Sequence, residues 1–90
     1  MNRRHEWSLH TRLEDAFLHG CSQITWEELY LWYEVRKIAS GTWRDIARQW
    51  EEVTNGKGAD LMKIETTAGI CIFAAKKMQR VDPDEPKFKL

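Results

Sequence analysis

Residues 60–80, DLMKIETTAGICIFAAKKMQR, decide between two folds for this chain. As a helix, the segment would begin at Asp60, whose carboxylate can accept hydrogen bonds from the free N–H groups of a first turn. As a hairpin, it would alternate apolar and polar residues on either side of a turn at Gly69. A helical stripe continues beyond residue 74, where a strand has no reason to persist, and this favours the helix. The stripe consists of Leu61, Ile64, Ala68, Cys71, Ile72, Ala75 and Met78.

Residues 24–53, ITWEELYLWYEVRKIASGTWRDIARQWEEV, predict two helices joined by a tight turn. Thr25 and Glu28 have the spacing of a capping box, in which each side chain accepts a hydrogen bond from the backbone of the other residue. Gly41 is expected to end the first of these helices. Thr42 and Asp45 are expected to cap the second, and apolar residues follow at helical spacing.

The N-terminal residues 1–7 are expected to form an arm, and a helix is expected to follow from residue 8. Thr11 and Glu14 offer a second capping box near its start, and Gly20 offers the left-handed residue that ends many helices. Residues 81–90 contain two prolines among charges and are predicted to be a flexible tail.

The predicted fold is therefore all-α: a small four-helix bundle-like single domain over residues 8–80. The expected helices span residues 8–19, 25–39, 42–54 and 60–80. The alternative is three helices followed by a C-terminal β-hairpin, in a winged-helix-like arrangement.

Charge and cysteine content narrow the class of protein. The chain has 14 basic and 14 acidic residues, whereas a nucleic-acid-binding protein usually carries a basic excess. Cys21 and Cys71 show no disulfide or metal-binding pattern, and both are expected to be buried and reduced. The sequence contains no secretory signal and no run long enough to span a membrane. A cytoplasmic protein is expected.

No catalytic motif occurs in the sequence. It lacks GxSxG, a P-loop and HExxH, and its three histidines all fall within the first twenty residues. The pairs Glu27–Glu28 and Glu51–Glu52 lack the third glutamate of helices that bind Mg²⁺. The sequence predicts no enzyme, no cofactor and no metal site.

The aromatic content favours a small protein–protein interaction module. Trp, Tyr and Arg are enriched at binding hot spots, and the helix predicted over residues 25–39 is apolar on nearly every face. The residues expected to contact a partner are Trp32, Tyr33, Arg36, Trp26 and Trp7. The partner would be another protein or a second copy of the chain, and the module would act as an adaptor or inhibitor of the kind found in phages and mobile elements.

The alternative function is that of a helix-turn-helix DNA-binding regulator. In that case Arg44, Arg48 and Gln49 would face the DNA, and Arg3 and Arg4 would contact a groove or the backbone. Three acidic residues on the same predicted helix weigh against this alternative: Asp45, Glu51 and Glu52.

Overall fold

The computed structural model describes residues 1–84, and within them the fold is α+β rather than all-α. The elements in chain order are α1 (Arg3–His19), β1 (Cys21–Thr25), α2 (Trp26–Tyr33), α3 (Ser40–Thr54), β2 (Leu61–Glu65) and β3 (Gly69–Ala74), followed by a short 3-10 helix (Ala75–Lys77). The strands form one antiparallel sheet in the order β1-β3-β2. The predicted four-helix bundle is therefore wrong. The winged-helix-like alternative is correct in part, because it included the C-terminal hairpin but not β1.

Within residues 60–80, residues 61–74 form a hairpin, in which the backbone hydrogen bonds are satisfied across the two strands. At the turn, the Thr66 N–H donates to the Gly69 carbonyl at 2.7 Å, and the Thr66 hydroxyl accepts from the N–H groups of Ala68 and Gly69. A Cβ atom at Gly69 would lie 2.1 Å from the Ile24 carbonyl oxygen. Gly69 is thus required for the close approach of β3 to β1.

Helix α1 begins earlier than predicted. The Asn2 side chain accepts from the His5 N–H at 2.9 Å and caps a helix that starts at Arg3, so residues 3–7 are helical rather than an arm. Thr11 lies inside the helix, where its hydroxyl donates to the Trp7 carbonyl. Gly20 ends the helix as predicted, with a φ of 102°.

Helix α2 has the predicted start but ends six residues before the predicted end at residue 39. The Thr25–Glu28 capping box is confirmed, because both reciprocal hydrogen bonds are present. The helix stops at Tyr33, and Glu34 adopts a left-handed conformation that turns the chain away. Residues 34–39 form the connection to α3. Gly41 and Thr42 therefore lie within the first turn of α3, and neither ends or caps a helix as predicted.

The core lies between the three helices and one face of the sheet. Its buried members come from all three α-helices and from two strands: Leu9, Leu13, Ala16, Ile24, Leu29, Trp32, Ile46, Trp50, Ile70, Ile72 and Ala74. Residues 81–84 are exposed and belong to no helix or strand. The rest of the predicted tail, residues 85–90, lies outside the described residues.

Arg12 joins three elements at the edge of this core. Its guanidinium donates to the Gln23 carbonyl of β1 at 2.7 Å and to both carboxylate oxygens of Glu28 on α2. The hydrogen bond from Arg12 holds the pKa of Glu28 below its usual value, against the opposing effect of partial burial. A bidentate, charge-assisted pair of this kind is stronger than an ordinary surface ion pair.

We expect Glu28→Gln to lower the free energy of unfolding by about 1 kcal/mol at about pH 7. Because the folded-state pKa is lowered, the stabilisation is present above the ordinary carboxyl pKa and is lost as the pH falls through the folded-state pKa. Urea unfolding of wild type and variant over a pH series from about 7 down to about 2 checks this, and the difference should shrink as the pH falls. Glu27→Gln, at the exposed neighbouring position, is the control. A pH-independent difference for Glu28→Gln would contradict this role of the ion pair.

Candidate protein-docking surface

The two faces of the sheet carry different side chains. On the helix-facing side, Leu61 packs against the core and the Lys63 ammonium lies 4.4 Å from the centroid of the Trp43 ring on α3. Because successive side chains of a strand alternate between faces, Met62 and Ile64 point to the opposite side. The strand register places two rows across this opposite side: Met62–Phe73–Cys21 and Ile64–Cys71–Gln23. These six residues are named the outer face.

The outer face is unusually apolar for an exposed sheet surface. An antiparallel sheet with one buried face commonly has polar residues on the other, but here Gln23 is the one residue of the six that is neither apolar nor a thiol. Ile64 is 55% exposed and Met62 is 41% exposed, while Phe73 is half-buried. A contiguous apolar patch on a small domain marks an interaction surface more often than a set of scattered apolar residues does.

A shallow depression of ≈ 240 Å³ adjoins the outer face beside the hairpin turn. Its lining includes Gln23, Thr25, Thr66 and Gly69. The next row toward the turn consists of Thr25 and Gly69. Because Gly69 has no side chain, this row projects less from the sheet than the two rows of the outer face do. The surface therefore combines projecting apolar side chains with a neighbouring concavity.

The two cysteines both belong to the outer face. Both are free thiols; Cys21 is exposed and Cys71 is half-buried, so the expectation that both are buried is wrong. Partial burial raises the pKa of the Cys71 thiol. A thiol with a raised pKa is a poor nucleophile near neutral pH, and its environment does not resemble that of a catalytic cysteine.

Five residues were predicted to contact a partner, and three of them make contacts inside the domain instead. Trp32 is 4% exposed and belongs to the core. The Tyr33 hydroxyl donates to Asp45 at 2.8 Å, and the Trp26 indole N–H donates to the Thr66 carbonyl at 2.9 Å. Arg36 is exposed in the α2–α3 connection, and Trp7 is 71% exposed on α1.

The residues of the DNA-binding alternative are also divided. Arg44 is exposed, with no ion pair among the described residues. Arg48 is exposed but forms ion pairs with Asp45 at 2.6 Å and Glu52 at 2.5 Å. Gln49 is 3% exposed and donates to Asp45 at 2.7 Å, so its amide is not available to a base.

Asp45 is the centre of this polar cluster. Partial burial acts to raise its pKa, but the hydrogen bonds from Arg48, Tyr33 and Gln49 outweigh that effect and lower it. Burial and the bond to Asp45 raise the pKa of the Tyr33 hydroxyl, which stays protonated and donates. The cluster ties α2 to α3. Arg3 and Arg4 are exposed at the start of α1.

The outer face was not predicted from the sequence. Met62 and Ile64 stand at alternate positions, which is a strand signal. Their neighbours across the sheet come from residues 21–25, for which no strand was predicted, and from the second half of a predicted helix. No comparison of sequences indicates the face, since no family of known proteins, no curated protein and no solved structure matches the chain.

Two further structural findings concern residues 1–84. No helix in this range has the length and apolar character needed to cross a membrane. The same range contains no group of three or more His, Cys, Asp or Glu side chains placed to hold a metal ion.

Proposed function

We propose that this chain is a small, non-enzymatic protein-interaction module, an adaptor or an inhibitor, that docks through the outer face of its sheet. The observation that supports this proposal is the apolar surface formed by Met62, Ile64 and Phe73 on the two hydrogen-bonded strands β2 and β3. The docking residues thus differ from the aromatic residues of α2 that the sequence suggested. The free thiols on the same face suit a reducing compartment, the cytosol.

A rigid sheet is a favourable platform for such docking. Burying a large aliphatic side chain such as that of Ile64 or Met62 contributes about 1.5–3 kcal/mol when the burial is complete, and less from a half-exposed start. The strands already hold the backbone of these residues in place, so no backbone ordering is required on binding. In helix α2, by contrast, Leu29 and Trp32 are buried in the core and are not available to a partner.

The test is a single charge placed on the outer face, at its most exposed aliphatic residue on the edge strand β2. Ile64→Glu should abolish retention of a partner that wild-type protein retains, because the carboxylate must be desolvated in an apolar contact. Leu18→Glu is the matched control, since Leu18 is a similarly exposed aliphatic residue on α1. Binding is measured by quantitative affinity capture of partners from the native host, followed by titration of the purified partner.

Both variants must first show the circular dichroism spectrum of wild type. Their free energies of unfolding must also lie within a few tenths of a kcal/mol of the wild-type value. A partner lost by Ile64→Glu and kept by Leu18→Glu supports docking through the outer face. A partner kept by Ile64→Glu, or lost equally by both variants, would remove the outer face from the proposed function.

DNA binding through α3 is the second candidate, and the distribution of charge favours it. Residues 34–48 together with residues 61–68 contain five basic and three acidic side chains, whereas the other described residues contain seven basic and ten acidic ones. The N-terminus of α3 has no side-chain cap, and the space beside Gly41 is open. Free N–H groups at a helix N-terminus suit a phosphate.

Fluorescence anisotropy with a mixed-sequence duplex separates the two candidates. At about 50 mM salt, Arg44→Ala should weaken binding several-fold and reduce the slope of log affinity against log salt by about one. Arg80→Ala, which removes a charge outside both basic segments, should change affinity much less. If wild-type protein shows no binding at this salt concentration, the second candidate is excluded.

A further inference from the structure

Strand β2 has an edge that no described strand covers. In the sheet order β1-β3-β2, one side of β2 pairs with β3 and the other side faces outward. The Asp60 carbonyl accepts from the Ala75 N–H at 2.8 Å, and the Thr66 N–H donates to the Gly69 carbonyl. Because bonding positions alternate in an antiparallel ladder, Met62 and Ile64 also bond toward β3. The backbone groups of Lys63 and Glu65 therefore face outward.

The side chains on this edge are complementary to a second copy of themselves. If two β2 strands pair antiparallel about Ile64, Lys63 of each strand stands opposite Glu65 of the other, which gives two opposite-charge cross-strand pairs. Pairing centred on Lys63 or on Glu65 would place like charges opposite each other. Pairing centred on Met62 would place Ile64 opposite Asp60.

The free backbone groups select the same register. With Ile64 at the centre, Lys63 and Glu65 become the hydrogen-bonded pairs, and these are the residues whose N–H and C=O groups face outward. The two Ile64 residues then form a non-hydrogen-bonded pair, in which the side chains come closest, with Cα atoms about 4.5 Å apart. The opposite-charge pairs, the outward-facing backbone groups and the contact between the two Ile64 side chains thus all favour the register centred on Ile64.

From this agreement we infer that two copies of the chain join through their β2 edges and form a continuous six-stranded sheet. The pairing is isologous, as in a two-fold dimer. Both Ile64 side chains point to the same side, so the two outer faces become one apolar surface of twice the width. Only the role of the joined outer faces rests on the proposed function. The pairing of the β2 edges can be tested without any other partner.

A charge-exchange series tests the register by sedimentation equilibrium. Wild-type protein should show twice the 10.7 kDa chain mass at roughly 100 µM. Lys63→Glu and Glu65→Lys should each raise the dimer dissociation constant about tenfold or more, because each places two like-charge pairs across the strands. The double variant, in which the two residues are exchanged, restores opposite charges and should recover most of the affinity. Lys63 and Glu65 also form an ion pair within one strand, and the exchange restores this pair too. Urea unfolding of each variant in dilute, monomeric protein therefore distinguishes a loss of pairing from a loss of folding stability.

Amide hydrogen exchange provides a second readout at the backbone. The N–H groups of Lys63 and Glu65 should exchange quickly in dilute protein and become protected as the concentration rises. Those of Met62 and Ile64, which bond to β3, should be protected at both concentrations. The contrast between adjacent residues is specific to pairing at this edge.

Three results would overturn the inference. Wild-type protein could be monomeric even at roughly 1 mM. All three charge variants could dimerise as well as wild type, or the double variant could remain as weak as the single ones. A monomeric wild-type protein whose heterologous partner is lost in Ile64→Glu would leave the proposed function standing while the dimer fails.

Discussion

Replacing Trp50 by alanine is expected to lower the free energy of unfolding by about 3–5 kcal/mol, a large part of the stability of a small domain. The Trp50 ring is fully buried and meets Phe17 edge to face, with ring centroids 6.0 Å apart. Its indole N–H donates to the Ala59 carbonyl at 2.8 Å and so fastens the loop between α3 and β2. Alanine would leave a cavity and a carbonyl without its donor. Urea unfolding followed by circular dichroism measures the loss.

Trp7→Ala is the control for this prediction, because it removes the same side chain from an exposed site on α1. We expect a change within about 0.5 kcal/mol. Equal losses at the two positions would show that Trp50 does not occupy the core as described.

Replacing Gly69 by alanine is expected to destabilise the protein by about 3 kcal/mol or more, at the upper end of the range for overpacked sites. The new Cβ atom would lie 2.1 Å from the Ile24 carbonyl oxygen and 2.6 Å from the Thr25 Cα. Both obstacles are backbone atoms, so no side-chain rotation relieves the contact. The pairing of Thr25 with Gly69 at the end of β1 must open instead. Thermal and urea unfolding both report this loss.

Gly41→Ala provides the matched comparison. Gly41 is exposed in the first turn of α3, and a Cβ atom there meets nothing within 4 Å. Alanine has the higher helix propensity, so the variant should be as stable as wild type or up to about 1 kcal/mol more stable. If Gly41→Ala were as damaging as Gly69→Ala, the close approach of β3 to β1 would not explain the effect.

Local signals predicted the features whose causes are local. The capping box at Thr25 and Glu28 and the end of α1 at Gly20 each depend on a few adjacent residues, and both are present. The start of α1 was missed because Asn2 outcompetes Thr11 as a cap. The end of α2 was missed because Glu34, which is not a glycine, takes the left-handed conformation.

The hairpin was missed because residues 60–80 fit both the helical and the strand periodicity. Contacts with residues that are distant in the chain favour the strands. In the sequence, Gly69 is compatible with a helix at a small cost in stability. In the fold, the Ile24 carbonyl lies so close to Gly69 that no larger residue fits. Strand β1, CSQIT, shows only a weak strand pattern and is stabilised by its pairing with β3. Such long-range pairing cannot be read from a window of adjacent residues.

The candidate surface was missed for the same reason. The aromatic residues of α2 were conspicuous in the sequence, yet Trp32 fills the core and Trp26 bonds to the hairpin turn. The outer face gathers residues from three strands, and its apolar character is visible only once the register is known.

The most direct test of pairing between two copies through their β2 edges, which joins the two outer faces into one surface, is methyl NMR of wild-type protein between roughly 10 µM and roughly 1 mM. Docking between two copies predicts that the methyl resonances of Ile64 and Met62 shift or broaden as the concentration rises, while those of Leu18 on α1 stay unchanged. Shifts confined to α1 and α2, or no shift at Ile64 and Met62 while the protein is shown to dimerise, would contradict the account.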